Sequence, residues 1–230
     1  MNNNINIFYH IFLETNWVDI VSEQINTLIN SKILEKSKLN IGIVYGNRIN
    51  KDAEYNKLLE ILSIIEHNIL FFESNGCCGE SPTLYQMKLF CDSNEDDVPI
   101  LYFHTKGITQ HNTIREKPVR EWRKMMEYFL IENWENCINK LNEGFDCCGI
   151  NYQDHAANIN GTLKLIKIFN GNFFWSKSSY IKKLENNILF EHRYSAENFI
   201  LNTEHKVFSF LNVPPSFDLY YNIYENYKKF

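Results

Sequence analysis

The sequence predicts an α/β fold: a mostly parallel sheet flanked by helices on both faces, with three features pointing to the sheet and its helices. Short apolar runs of strand length alternate with segments whose apolar residues recur at helical spacing. Helices of that length between strands imply crossover connections, hence parallel neighbours and a sheet covered on both sides. A content of 44% hydrophobic and 15% aromatic residues in 230 supplies enough material for that core.

The elements follow in order. Ile5 to Leu13 is a continuous apolar run, and Val18, Val21, Ile25, Leu28 and Ile29 then recur on one helical face. A second strand is expected over Ile41 to Tyr45, a helix over Ala53 to His67, and a third strand over Ile69 to Phe72. After a turn at Gly76-Cys77-Cys78-Gly79, Ser81 is placed to cap a helix that has Pro82 in its first turn and runs to about Phe90. Val98 to Phe103 is the fourth strand. Trp122, Met125, Met126, Phe129, Trp134, Cys137 and Leu141 predict one long helix whose apolar stripe is core. Strands over Phe145 to Ile150 and Ile166 to Trp175, helices from Ser178 and over Ala196 to Asn202, and a last strand over Val207 to Leu211 complete the chain. With no linker and no repeat, residues 1–230 read as one domain.

Composition narrows the function classes. A net charge of -5 leaves no broad basic surface for a phosphate backbone, so nucleic acid is not an expected partner. The start Met1-Asn2-Asn3-Asn4 lacks a basic leader, and no later run has the apolar length of a membrane span, so a cytoplasmic protein is expected. The six cysteines match no paired zinc spacing and read as reduced, buried thiols.

In an open parallel sheet the ligand crevice lies beyond the carboxyl ends of the strands. These ends are polar here: Glu14 and Asn16, Glu73 and Asn75, His104 to Lys106, and Asn151, Tyr152 and Asp154. The strongest feature is Tyr102-Phe103-His104-Thr105-Lys106-Gly107, where a buried strand stops in an imidazole, a hydroxyl and an ammonium before a glycine. Such a segment suits a phosphate, Lys as point charge, Thr and His as donors. The competing reading is a surface turn with a solvated lysine. His111, Arg115, Lys117, Arg120 and Arg123 follow as a local basic patch that could face a leaving diphosphate, or pair with neighbouring glutamates.

Neither G-x-G-x-x-G, nor G-x-x-x-x-G-K-[ST], nor G-x-S-x-G occurs where dinucleotide, P-loop or serine-hydrolase chemistry needs it. A nucleotidyltransferase would show a Gly-rich loop after the first strand, and Phe8 to Asn16 has no glycine. The segment Phe169-Asn170-Gly171-Asn172-Phe173-Phe174-Trp175 mixes small polar and aromatic residues, a pattern that suits carbohydrate and equally a buried strand beside a turn. Glu197, at a helix start, is a candidate general base or a helix cap. Asp154 and His155 compete with it from a loop.

The sequence resembles the glycosyltransferase-like proteins of GT-A fold found in bacterial polysaccharide loci and large DNA viruses. The resemblance rests on Phe8-Tyr9-His10 with Trp17, Glu80-x-Pro82-Thr83-Leu84, Leu101 to Gly107, Trp122 with Met126, and Gly149-x-Asn151. It continues in Gly171 to Trp175 with Ser179-Tyr180, and in Arg193 with Ala196-Glu197. It implies a cytoplasmic transferase, in the host-cell cytoplasm if viral, that uses a nucleotide-sugar donor and a glycan or other hydroxyl acceptor. Residues 1–108 would form the nucleotide-sugar-binding half, and His10, Thr83, His104, Thr105 and Lys106, with Arg120 from the second half, would bind the donor and its diphosphate. Residues 109–230 would build the acceptor side with Trp122, Asn151, Asp154, Gly171, Asn172, Trp175 and Arg193, and Glu197 would be the base of an inverting displacement. GT-A enzymes often hold Mn²⁺ or Mg²⁺ on an Asp-x-Asp motif, and the comparable place here reads His104-Thr105-Lys106. Either Lys106 and its basic neighbours neutralise the diphosphate, or a carboxylate such as Asp154 supplies a metal ligand. The alternative function is a sugar-nucleotide or glycan-binding domain that has lost the chemistry.

Overall fold

A computed structural model describes residues 5–74, 79–159, 161–191, 194–214 and 216–229. Its first half consists of β1 (Ile5–Leu13), α1 (Trp17–Asn30), β2 (Ser37–Tyr45), α2 (Lys51–Leu62), β3 (Asn68–Ser74), α3 (Ser81–Ser93) and β4 (Pro99–His104). The second half comprises α4 (Glu116–Glu127), α5 (Trp134–Asn142), β5 (Cys147–Gly149), β6 (Tyr152–Ile159), β7 (Thr162–Phe169), β8 (Phe174–Lys177), α6 (Ser178–Ile181), α7 (Ser195–Asn198) and β9 (Val207–Ser209).

Seven strands form one sheet in the order β3-β2-β1-β4-β8-β5-β9. Neighbours among β1 to β4 are parallel, as are β5 and β9, whereas β8 runs antiparallel to both β4 and β5. The expected fold class, a mostly parallel sheet with helices on both faces, is therefore present. β1 is central and its side chains divide between two cores. Ile5, Ile7, Tyr9, Ile11 and Leu13 pack with α1, α4 and α5, while Phe8 packs with α3 and α6. That two-sided burial is why the run is apolar throughout instead of alternating. Among the described residues no helix is long and apolar enough to cross a membrane.

Several expectations are corrected. The long helix over 122–141 is two helices joined by a π-turn at Tyr128–Glu132. Asn133 enforces the break, since its backbone N–H and its side-chain amide both donate to the Tyr128 carbonyl, at 3.1 and 2.7 Å. The run from Ile166 to Trp175 is two strands in different sheets, because Gly171 and Asn172 both take positive φ, 106° and 57°. The polar stretch holding Asp154 and His155 is no loop but β6, paired with β7 in a separate two-stranded sheet. Ser81 lies inside α3 and donates to the Leu189 carbonyl, so Glu80 takes the capping position. Cys91, Cys137, Cys147 and Cys148 are free and buried. Cys77, Cys78 and most of the turn expected over 76–79 lie outside the described residues.

Candidate functional site

β1 and β4 are adjacent and parallel, and His104, the last residue of β4, stands in register with His10 inside β1. The ladder continues one step further through side chains. Thr105 donates its N–H to the His10 carbonyl at 3.1 Å and accepts the Phe12 N–H on its hydroxyl at 2.9 Å. The Thr105 side chain is thus buried and committed to the β1 backbone. His10 is also buried, its Nδ1 lying 2.8 Å from the Thr83 hydroxyl of α3. Gly42 on β2 makes room for this pair, since a Cβ there would stand 2.1 Å from Thr83 Oγ1.

Glu80 draws these elements together. Its carboxylate accepts from His104 Nδ1 at 2.7 Å, from the Tyr102 hydroxyl at 2.9 Å and from the Asn172 amide at 2.7 Å. The other nitrogen of His104 lies 3.1 Å from the Gly171 carbonyl oxygen. Both ring nitrogens therefore face acceptors, and only the imidazolium form can donate to both. Burial by itself would raise the Glu80 carboxyl, but the charge and hydrogen bond of His104, with His10 and the Asn172 amide, bring it down to about 2. For His10 burial dominates and pushes the imidazole down to about 4, against the pull of Glu80.

Lys106 leaves this cluster on the α4 side. Its ammonium sits 3.9 Å from the centre of the Trp122 ring and 5.8 Å from that of Tyr220. Burial lowers its pKa, while the carboxylates of Glu197 and Glu80 oppose the shift. Gly107 turns the chain toward α4 at φ 96°. The Gly171 turn rests on the same helix, since a Cβ there would meet Met126 Sδ at 2.5 Å and Trp122 Cζ2 at 3.2 Å. Asn172 Oδ1 is buried without a hydrogen-bond partner.

His10, Thr83, His104, Lys106, Gly171 and Asn172 are thus gathered at one place, and Glu197 acts on Lys106 only through space. Other sequence candidates stand elsewhere. Arg120 and Arg123 both pair with Glu23 of α1, beside a cleft of about 330 Å³ that Lys106 also lines. Trp122 offers its ring to Lys106 and is otherwise buried. Trp175 is sealed in the core, donating to the Leu130 carbonyl at 2.7 Å, so it has no face for a sugar. Asn151, at φ 58°, holds the C-terminal segment by accepting the Val213 N–H at 2.9 Å. Asp154 pairs with Lys167 at 2.9 Å on the exposed face of the β6–β7 hairpin. Arg193 lies outside the described residues.

Glu80, Tyr102 and Tyr220 are the residues that sequence reasoning left without a role. The partners of Glu80 lie 22, 24 and 92 positions away, so no local spacing announces it. The residues present do not fit the divalent cation that the resemblance made possible. Glu80 is saturated by three donors, and among the described residues no three His, Cys, Asp or Glu side chains gather closely enough to hold a metal.

A family model described as a domain of unknown function, DUF8361, matches residues 8–216. No curated protein matches the chain. Among solved structures, HddC from Yersinia pseudotuberculosis is similar at 8% identity over 90% of each chain, with a TM-score of 0.44. A 4-diphosphocytidyl-2C-methyl-D-erythritol synthase is similar at 9% identity over 93% of this chain and 90% of its own, with a TM-score of 0.42.

Proposed function

The chain belongs to DUF8361, a family of domains of unknown function, and for this member we propose transfer of a hexosyl or deoxyhexosyl group from a nucleotide sugar to a hydroxyl acceptor such as a glycan. The observation that carries this reading is the convergence of His10, Thr83, Glu80, His104, Lys106 and Asn172 around the carboxyl end of β4, on the side of the sheet where ligands of open α/β sheets bind. The motif resemblance supports it as well.

In this mechanism the donor's diphosphate lies against the Lys106 ammonium, which offsets the charge that grows as the anomeric C–O bond breaks. The acceptor oxygen forms the new bond to the anomeric carbon. Its proton passes to the Glu197 carboxylate, which stands close enough to act on Lys106 through space. The products are the glycosylated acceptor, a nucleoside diphosphate and a protonated Glu197 that returns its proton to solvent. Residues 1–108 form the nucleotide-sugar-binding half and 109–230 the acceptor-side half, with basic side chains that follow β4 reaching the diphosphate from the second half.

The test is consumption of nucleotide sugars from a panel of bases and sugars, with and without EDTA. Lys106→Ala and Glu197→Gln are each expected to lose about 100-fold or more in turnover while remaining folded. Wild-type turnover in either variant removes that residue from the mechanism. Thermal stabilisation by one nucleotide sugar, with no turnover under any condition, replaces the enzyme by a binding domain.

A further inference from the structure

Of the three arginines that follow β4 up to the end of α4, two are already satisfied. Arg120 and Arg123 share the Glu23 carboxylate, and Arg123 also lies against Glu127. Arg115, just before α4, is different. Its guanidinium stacks 4.6 Å from the centre of the Tyr221 ring and 5.5 Å from that of Tyr220, and it donates to the Tyr221 hydroxyl. Asp218 acts on it only through space.

The Tyr220 ring is shared, with Lys106 on it at 5.8 Å and Arg115 at 5.5 Å, and it stands edge-on to Trp122 at 5.3 Å. This ring belongs to a short strap of the C-terminal segment. Leu219 anchors the strap in the core, and the Asp218 carboxylate fixes its turn by accepting the Tyr220 N–H at 2.8 Å. Tyr220 and Tyr221 remain partly exposed, so the strap borders solvent beside Lys106.

We propose that Lys106 and Arg115 form a two-cation clamp for a diphosphate, with Tyr220 as the wall that holds both. The aromatic faces pre-orient the cations without neutralising them, which a carboxylate would do. The planar fork of Arg115 suits two phosphate oxygens at once, while Lys106 supplies a point charge to the other phosphate. Two like charges on one ring repel, and a bridging oxyanion relieves that repulsion. The identification of the anion as a donor's diphosphate rests on the glycosyltransfer reading. The clamp itself is tested without it.

Inorganic pyrophosphate is the probe, titrated calorimetrically at two salt concentrations. Arg115→Gln and Lys106→Gln are each expected to weaken binding about tenfold or more and to flatten its salt dependence. Arg115 is half-buried at the surface, against the Tyr220 and Tyr221 rings, so its variant should unfold close to the wild-type temperature. Tyr220→Leu should weaken binding severalfold, and Tyr220→Phe should retain it. No pyrophosphate binding to the wild type overturns the clamp, as does a loss in Arg120→Gln that Arg115→Gln does not share. Arg115-dependent binding supports it even where no nucleotide sugar is consumed. Turnover with an unchanged donor KM in Arg115→Gln removes the clamp and leaves the proposed reaction standing.

Discussion

Glu80 and Glu127 are two carboxylates withdrawn from water beside the same sheet, with side chains 20% and 4% exposed, and they titrate in opposite directions. Glu80 is held down at about 2, whereas Glu127 is pushed up to about 7. The difference lies in their donors. Glu80 receives three hydrogen bonds, one from an imidazole. Glu127 has Arg123 Nε at 3.2 Å, but the alignment leaves both Arg123 Nε and Glu127 Oε1 without a hydrogen bond. Desolvation therefore dominates at Glu127, against Arg123 and the Gln24 amide. Burial alone does not fix the charge of an acid; the count and aim of its donors do. The first carboxylate is a permanent negative charge under the site, and the second exchanges a proton near neutrality.

Removing the charge at Glu80 is the largest break of this contrast. Glu80→Gln leaves the His104 ring between a carbonyl and an amide and should cost about 3 to 4 kcal/mol, read from urea denaturation at pH 7. A loss below about 1 kcal/mol would show that the three bonds hold little. The sign with pH follows from the lowered value: the contribution is complete above about 4.5, the ordinary value, and is lost as pH falls toward about 2. Glu127 behaves oppositely. Its folded pKa lies above the unfolded one, so stability is highest below about 4.5 and falls as pH rises to about 7. Glu127→Gln should abolish that slope and gain about 2 kcal/mol at pH 8. Persistence of the wild-type slope in this variant would assign the titration to another group.

The sequence showed one side of this contrast better than the other. β1 was legible to its bounds, because burial on both faces makes a strand apolar throughout. His104 could be singled out because strand ends mark the crevice, and His10 and Thr83 only because the family resemblance carries them. Glu80 could not, since its partners arrive from β4 and from the turn before β8. Periodicity also missed the π-turn, where Phe129, Leu130 and Ile131 remain apolar while the phase shifts. The β6–β7 hairpin was hidden for a different reason: it buries one face against Tyr194 and exposes Leu163 and Leu165 on the other, so polarity does not report pairing. Trp175 shows the limit for aromatic residues. A side chain type that suits a sugar also suits a core, and its pairing between Leu101 and Cys148 in mid-sheet decides the matter.

Gly171 joins the two regions and gives the smallest predicted effect. Its carbonyl supports His104 on the Glu80 side, while its Cα rests on Met126 and Trp122 of α4, the helix that ends in Glu127. Gly171→Ala puts a methyl into that contact at a positive φ and should cost about 1 to 2 kcal/mol. The strain falls unequally. Met126 can move its thioether aside, whereas the carbonyl at His104 has no slack in its 3.1 Å contact. Turnover should therefore fall more than stability does, and the slope of stability between pH 4.5 and 7 should match the wild type, because Glu127 keeps its surroundings. A changed slope would mean that the turn transmits strain along α4, so that the two carboxylates are one coupled system and not two independent ones.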